Sequence, residues 1–153
     1  MKKISDKPRY YQGRFQPQNP QKYRGNLNEI YLRSSWEYKF ARWCDLNSNV
    51  LEYGSETIVI PYRWSVDGKV HRYFVDFYIK VQQTNGMIKK FLVEIKPHKQ
   101  TIEPVIPKRK TKYFVEEVLA YTKNMDKWEA ARNFCADHGM EFIVLTEFDL
   151  GIR

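Results

Sequence analysis

Two cysteines are all the thiol chemistry the chain holds, and neither Cys44 nor Cys135 has a second cysteine or a histidine at metal-ligand spacing. Both fall in apolar patterns with helical spacing, which reads as buried thiols in a reducing compartment. No stretch approaches the roughly 20 apolar residues of a membrane span, so no membrane partner is expected. The opening Met1-Lys2-Lys3-Ile4-Ser5-Asp6 has basic residues but no apolar run behind them and does not read as a signal peptide. A Gly-rich phosphate loop, a GxSxG elbow, an HExxH helix and a paired CxxC are all missing, which counts against NTPases, serine hydrolases and zinc enzymes. Acid is scarce at one end. Residues 1–28 set Lys2, Lys3, Lys7, Arg9, Arg14, Lys22 and Arg24 against Asp6 alone, while the other 125 residues are nearly balanced, with 19 basic and 17 acidic side chains.

What is present is a chain of one-domain size, rich in aromatics, with 4 Trp, 11 Tyr and 9 Phe among 153 residues. Its positive charge sits in two places: the first 28 residues, and a cluster at Lys96, Lys99, Lys108, Arg109, Lys110 and Lys112 opposed only by Glu103. Two basic patches on an otherwise balanced chain point to a polyanionic partner. Residues 1–28 show no hydrophobic period and read as an extended basic arm, with residues 29–153 as the folded domain. Tyr10, Tyr11, Phe15 and Tyr23 alternate with basic residues in the arm. That mixture suits phosphate contact with stacking on bases, and equally suits packing against the chain's own domain.

From Leu32 the pattern becomes helical, with Leu32, Trp36, Phe40, Trp43 and Cys44 on one stripe. Strands are predicted over 50–53, 56–64 (with Pro61 at an edge or bend), 70–81, 87–96 and 141–146. A helical pattern covers about 110–138. One helix of that length is long for so small a domain, so a break near Asn124 is predicted, with Asp126 and Glu129 as a capping box and Gly139 closing the second piece. The order gives a mixed α/β sheet with helices on its faces.

Two strands each set a carboxylate within apolar neighbours: Tyr73-Phe74-Val75-Asp76-Phe77 and Leu92-Val93-Glu94-Ile95-Lys96. A buried, unpaired carboxylate is costly, and two that face each other repel unless a cation lies between them. A three-residue loop, Thr84-Asn85-Gly86, pairs Gln83 with Met87. Stepping back along both strands, it brings Asp76 opposite Glu94 on one face, about 5 Å apart. A two-residue Asn85-Gly86 turn shifts the register by one and throws them onto opposite faces; the sequence permits both. Lys96 shares the face of Glu94, and Glu37 lies at the rim of the helical stripe. Two hard oxygen donors beside an ammonium suit Mg²⁺, which takes few protein carboxylates and accepts phosphate oxygens. A structural ion cluster is the plainer alternative.

A helical carboxylate at Glu37, Val75-Asp76-Phe77 on one strand and Val93-Glu94-Ile95-Lys96 on the next together resemble the PD-(D/E)XK nuclease superfamily. Within it the chain is similar to the catalytic domains of transposon endonucleases that cut 5′ ends, and to the head-completion nucleases of T-even-type tailed phages. The likeness extends through Lys127-Trp128-Glu129-Ala130-Ala131 and Phe142-Ile143-Val144-Leu145-Thr146. It implies a restriction-endonuclease-like mixed sheet flanked by helices. It also implies that Asp76 and Glu94 bind one or two Mg²⁺ or Mn²⁺ ions, with the Ile95 carbonyl as a third oxygen. Lys96 is then catalytic, and Glu37 supports the metal directly or through water. Val75 stands where the pattern often has proline.

The implied activity is hydrolysis of phosphodiester bonds in double-stranded or branched DNA. The DNA would be held by Arg14, Lys22 and Arg24 of the arm and by Lys99, Lys108, Arg109, Lys110 and Lys127. The implied setting is phage head completion, with portal or neck proteins as partners, in the host cytoplasm or on the virion. Lys127 also has a plainer reading as an exposed lysine. His98 reads as a solvated loop residue, His71 and His138 have no partner pattern, and Asp45, Glu52 and Glu56 read as surface charges. The rivals are a catalytically inactive DNA-binding or head–neck assembly protein, and an RNA-binding protein, which the absence of a paired aromatic strand motif disfavours.

Overall fold

A computed structural model describes residues 10–152; the basic residues Lys2, Lys3, Lys7 and Arg9 lie outside the described residues. The chain order is β1 (Tyr10–Arg14), β2 (Tyr31–Ser34), α1 (Ser35–Leu46), β3 (Val50–Ser55), β4 (Val59–Arg63), β5 (Val70–Phe74), β6 (Phe77–Gln82), β7 (Ile88–Ile95), α2 (Lys112–His138) and β8 (Glu141–Leu145). The central sheet runs β3-β6-β7-β8, with β1-β2 and β4-β5 as separate two-stranded ribbons. β3, β6 and β7 are antiparallel neighbours, and β8 joins β7 in parallel.

The sheet has a core on each face. On one, Trp36, Phe40 and Cys44 of α1 pack on Phe77, Ile79, Val93 and Ile95. On the other, Trp128, Ala131 and Cys135 of α2 pack on Leu92 with Ile60, Tyr62, Tyr73 and Val75 of the β4–β5 layer. Successive strand residues point to opposite faces, so β7 sends Val93 and Ile95 towards α1 and Leu92 and Glu94 towards α2. This is the helix–sheet–helix, restriction-endonuclease-like arrangement that the sequence implies.

The hairpin chooses the three-residue loop. The Gln83 N–H donates to the Met87 carbonyl at 2.8 Å and the Gly86 N–H to the Gln83 carbonyl at 2.9 Å. Gly86 takes φ +83°, the left-handed conformation that closes such loops. The ladder then pairs Phe77 with Val93 and continues to Gln82 with Ile88. One step beyond Phe77 and Val93 lie Asp76 and Glu94.

Three expectations need correction. Residues 31–34 form a strand paired with β1, so Leu32 enters the core from β2 and the helix begins only at Ser35; Trp43, on the expected stripe, is exposed. The single strand expected over 70–81 is two. β5 pairs with β4, β6 with β3 and β7, and at the switch the Val75 N–H bonds the Ile58 carbonyl while the Asp76 carbonyl accepts from the Glu56 N–H. α2 runs unbroken for 27 residues: Asp126 caps nothing but accepts from the N–H and hydroxyl of Ser65, both at 2.9 Å, tying the β4–β5 turn to the helix.

For the described part of the arm, residues 10–28, the sequence suits contact with a partner and packing on the body alike, and these residues pack on the body. Phe15 and Tyr23 are buried in the α1-side core, Tyr23 pairs with Tyr53, and the Arg24 N–H donates to the Tyr53 carbonyl at 2.8 Å. That close approach needs Gly54, since a Cβ there would sit 2.6 Å from the Arg24 carbonyl oxygen and 2.8 Å from Thr57 Oγ1. Backbone cannot step aside cheaply, so Gly54→Ala is expected to cost about 1–3 kcal/mol in a urea unfolding measurement. An unchanged midpoint would mean that this docking contributes nothing to stability.

Candidate active site

The strand switch at residues 75–76 and the end of β7 bring the key side chains together on the α2 face. Asp76 is packed about by protein yet still reached by solvent, and its Oδ2 accepts the Ile95 N–H at 2.8 Å. Glu94 is buried. Its Oε2 accepts a hydrogen bond from the Tyr73 hydroxyl, and its Oε1 lies 3.4 Å from Lys96 Nζ. Each carboxylate therefore has one oxygen held by a neutral donor. Among the described residues, Asp76 Oδ1 receives no protein hydrogen bond, and Glu94 Oε1 has only the lysine.

The backbone of Ile95 follows the same logic. The Lys96 N–H donates to the Leu145 carbonyl in β8, so the alternate N–H and C=O groups of Ile95 face the opposite edge. Its N–H meets Asp76 there, and its carbonyl points to the same edge.

Burial, then the nearby charges of Glu94 and Glu37, push the Asp76 carboxyl well above the usual aspartate range, and the Ile95 N–H only partly offsets this. Glu37 is raised for related reasons: burial first, then Glu56 and Glu94, opposed by the backbone N–H of Arg33. Burial, with Glu94 and Asp76 beside it, likewise raises the Tyr73 phenol and keeps it a proton donor. Asp76 and Glu37 thus both resist ionisation, and the cations that oppose this are Lys96 at Asp76 and Arg33 at Glu37.

Glu37 sits in the first turn of α1. Ser34 Oγ caps that turn by accepting the Glu37 N–H at 3.1 Å, and Glu37 Oε2 reaches back to the Arg33 N–H at 2.8 Å. This reciprocal cap is what turns the Glu37 carboxylate towards the sheet end. Ser34→Ala is expected to cost about 1 kcal/mol of unfolding free energy in a urea titration, and a loss of only a few tenths would mean that this cap does not fix the start of α1.

The donor set is compatible with a hard divalent ion, although it is not a closed cage. Among the described residues, no three His, Cys, Asp or Glu side chains form a metal-holding group. Two carboxylate oxygens and a backbone carbonyl suit an ion that keeps several waters and accepts phosphate oxygens, as Mg²⁺ does.

The basic residues divide. Lys99, Lys108, Arg109 and Lys110 are exposed along the segment between β7 and α2, and Arg14 is exposed on β1. Lys22 instead bonds the carbonyls of Cys44, Asp45 and Asn47 at 2.5, 3.0 and 2.8 Å, capping the end of α1. Arg24 pairs with Glu52 at 2.5 Å. Both arm cations are held by the protein itself, because the arm folds back. Lys127 is no plain surface lysine: it is partly buried, lies 5.3 Å above the Tyr73 ring, and has a lowered pKa through burial, against the pull of Glu94.

Sequence reading missed two groups. Tyr73 carried no distinguishing signal, since a tyrosine in an apolar strand looks like core. Asp45, read as a surface charge, is 2% exposed and accepts from the Gln18 and Asn19 N–H groups and the Tyr53 hydroxyl at 2.8, 3.1 and 3.0 Å. Its donors come from the arm and β3, which sequence spacing does not reveal.

Two comparisons bear on this site. The family model described as TnsA-like endonuclease N terminal matches residues 47–147, a span that holds Tyr73, Asp76, Glu94, Lys96 and Lys127 but not Glu37. The head completion nuclease of Enterobacteria phage T4 is 41% identical over 141 residues, covering 90% of this chain and 91% of that protein.

Proposed function

From the chain's membership of the TnsA-like endonuclease family, a group of PD-(D/E)XK type, we propose that it hydrolyses DNA phosphodiester bonds with a divalent cation held by Asp76 and Glu94. The observation that carries this reading is the pair itself. Two carboxylates occupy one face at a strand end, each with one oxygen locked by a neutral donor and the other left for a ligand. A protein that only bound DNA would gain nothing from that repulsion.

In this reading Asp76 Oδ1, Glu94 Oε1 and the Ile95 carbonyl hold Mg²⁺ or Mn²⁺, with Glu37 contributing through water. When bound, such an ion lowers the pKa of water and neutralises charge on the attacked phosphate. Lys96 stands 3.4 Å from Glu94 Oε1; it orients the attacking water and stabilises the negative charge that develops on the phosphate. Lys99, Lys108, Arg109, Lys110 and Arg14 draw the duplex backbone to the site. Lys127, partly buried beside the pair, takes the phosphate nearest the cut. Lys22 and Arg24 are occupied within the fold and add only to the local potential.

The relative is named for head completion. We assign this chain to that step, cutting or trimming packaged DNA in the host cytoplasm or on the virion, with the portal or neck as its protein partners.

Incubation with supercoiled plasmid and Mg²⁺ or Mn²⁺ tests the reading. Nicking is expected from the natural chain, blocked by EDTA, and lowered by roughly 100–1000-fold in Lys96→Ala. DNA binding without cleavage in any divalent ion would favour a non-catalytic assembly protein on a nuclease fold.

A further inference from the structure

Tyr73 lies outside the acidic and basic residues that the proposed reaction uses, yet its hydroxyl touches one of them. The residue is on β5, in the two-stranded ribbon beside the central sheet, and is 2% exposed. Its ring packs in the α2-side core with Ile60, Val75 and Leu92, under Lys127, and its hydroxyl donates to Glu94 Oε2. Trp128 approaches the same hydroxyl from α2 without its indole N–H closing to hydrogen-bond distance. A phenylalanine would fill the same core space. The hydroxyl adds a desolvation cost that only its bond to Glu94 offsets.

We propose that Tyr73 is a positioning residue of the metal site: by holding Oε2 of Glu94, it fixes the carboxylate so that Oε1 is presented to the cation. Glu94 is then the counterpart of Asp76, whose Oδ2 is held by the Ile95 N–H. One carboxylate is oriented by backbone and the other by a side chain from a different layer of the fold. Free to rotate, Glu94 could turn both oxygens to Lys96 and away from the ion. Partners of this kind, which hold a ligand without touching the metal, typically change affinity by roughly 10–100-fold when removed. The inference rests on reading Asp76 and Glu94 as the cation's ligands.

The test is Tyr73→Phe in the full chain, with Mn²⁺ binding followed by electron paramagnetic resonance and plasmid nicking followed against Mg²⁺ concentration. Weakening of Mn²⁺ binding by roughly 10–100-fold is expected, with a matching rise in the Mg²⁺ needed for half-maximal nicking and the rate largely restored at saturating Mg²⁺. A purely structural role would instead lower the rate at every metal concentration. In a Glu94→Gln background, Tyr73→Phe should change Mn²⁺ affinity no further, which separates loss of orientation from general loosening of the fold. Unchanged Mn²⁺ affinity in Tyr73→Phe, beside a natural chain that binds the ion, would overturn the role of Tyr73 alone. A natural chain that binds no Mn²⁺ would overturn the metal site and this inference with it.

Discussion

Asp76→Asn is expected to abolish metal-dependent cleavage, by a thousandfold or more on the order of magnitude of removing an essential site group, and at the same time to make the metal-free protein more stable. The two effects share one cause. Burial and the charges of Glu94 and Glu37 hold the Asp76 carboxyl well above its usual range, so the folded chain keeps a proton that the unfolded chain has released. Wherever the folded state binds more protons, stability falls as pH rises. The contribution of this group is therefore full below the ordinary aspartate range and is lost as pH climbs through the raised value. Asparagine keeps an acceptor for the Ile95 N–H and removes the charge. At neutral pH in EDTA the variant should gain about 0.5–2 kcal/mol, the usual scale for relieving strain at a functional site. Its stability should also depend less on pH than that of the natural chain. Added Mn²⁺ should raise the melting temperature of the natural chain by mass action and leave the variant unmoved. Thermal melts with and without Mn²⁺ at two pH values check all three points. A variant less stable than the natural chain in EDTA would show that the carboxylate is comfortable without an ion.

Asp45→Ala should produce the largest loss of stability. The residue sits in the last turn of α1, where its side chain accepts from the backbone of Gln18 and Asn19 and from the Tyr53 hydroxyl, and its carbonyl accepts from Asn19 Nδ2 and Lys22 Nζ. One carboxylate thus fastens the end of the helix to the arm and to β3. Alanine leaves the side-chain donors without their acceptor in a buried place, and the expected cost is about 3 kcal/mol. For a chain of this size that corresponds to roughly a 6–12 °C fall in melting temperature. Asparagine, which retains one accepting oxygen, should lose less. Cleavage at low temperature should persist in both variants, since Asp45 lies at the opposite end of α1 from Glu37. A shift of only a degree or two would mean that residues 15–24 do not depend on this anchor.

What could be read from the sequence, and what could not, divides along a physical line. Local pattern was legible: the alternation in β7 that sends Glu94 to one face and Val93 to the other, the apolar stripe of α1 over most of its length, and Gly139 after the last residue of α2. The register of β6 against β7 depended on one loop of ambiguous length, and the chemistry of two facing carboxylates was the reason to favour the longer loop. The structure agrees from Phe77 with Val93 to Gln82 with Ile88. Non-local partners were illegible. Helix length alone suggested a break near Asn124, and nothing in the spacing of Asp126 distinguishes the helix cap that would fit it from an acceptor for Ser65, 61 residues away. Lys22 looked like a DNA contact because its charge is visible in sequence, whereas the three carbonyls that bind it are not. Tyr73 was hidden because its role depends on β5 pairing with β4 in a separate ribbon, the chain joining the central sheet only at Phe77.

That excursion of the chain at residues 75–76 gives the site its depth. Had 70–81 been one strand, Tyr73 would lie along the sheet rather than over its end. Here the β4–β5 ribbon and α2 close one side of the pair, with Lys127 above the tyrosine ring, while the capped start of α1 brings Glu37 to the other. The exposed cations between β7 and α2 then lie next in the chain to Lys96, where a duplex entering the site would meet them.

Anomalous diffraction from crystals grown with Mn²⁺ addresses the central claim most directly. The account predicts a manganese peak in contact with the carboxylates of both Asp76 and Glu94, absent from crystals of Asp76→Asn grown in the same way. Manganese bound elsewhere while that position stays empty, in a protein that still cuts DNA, would contradict it.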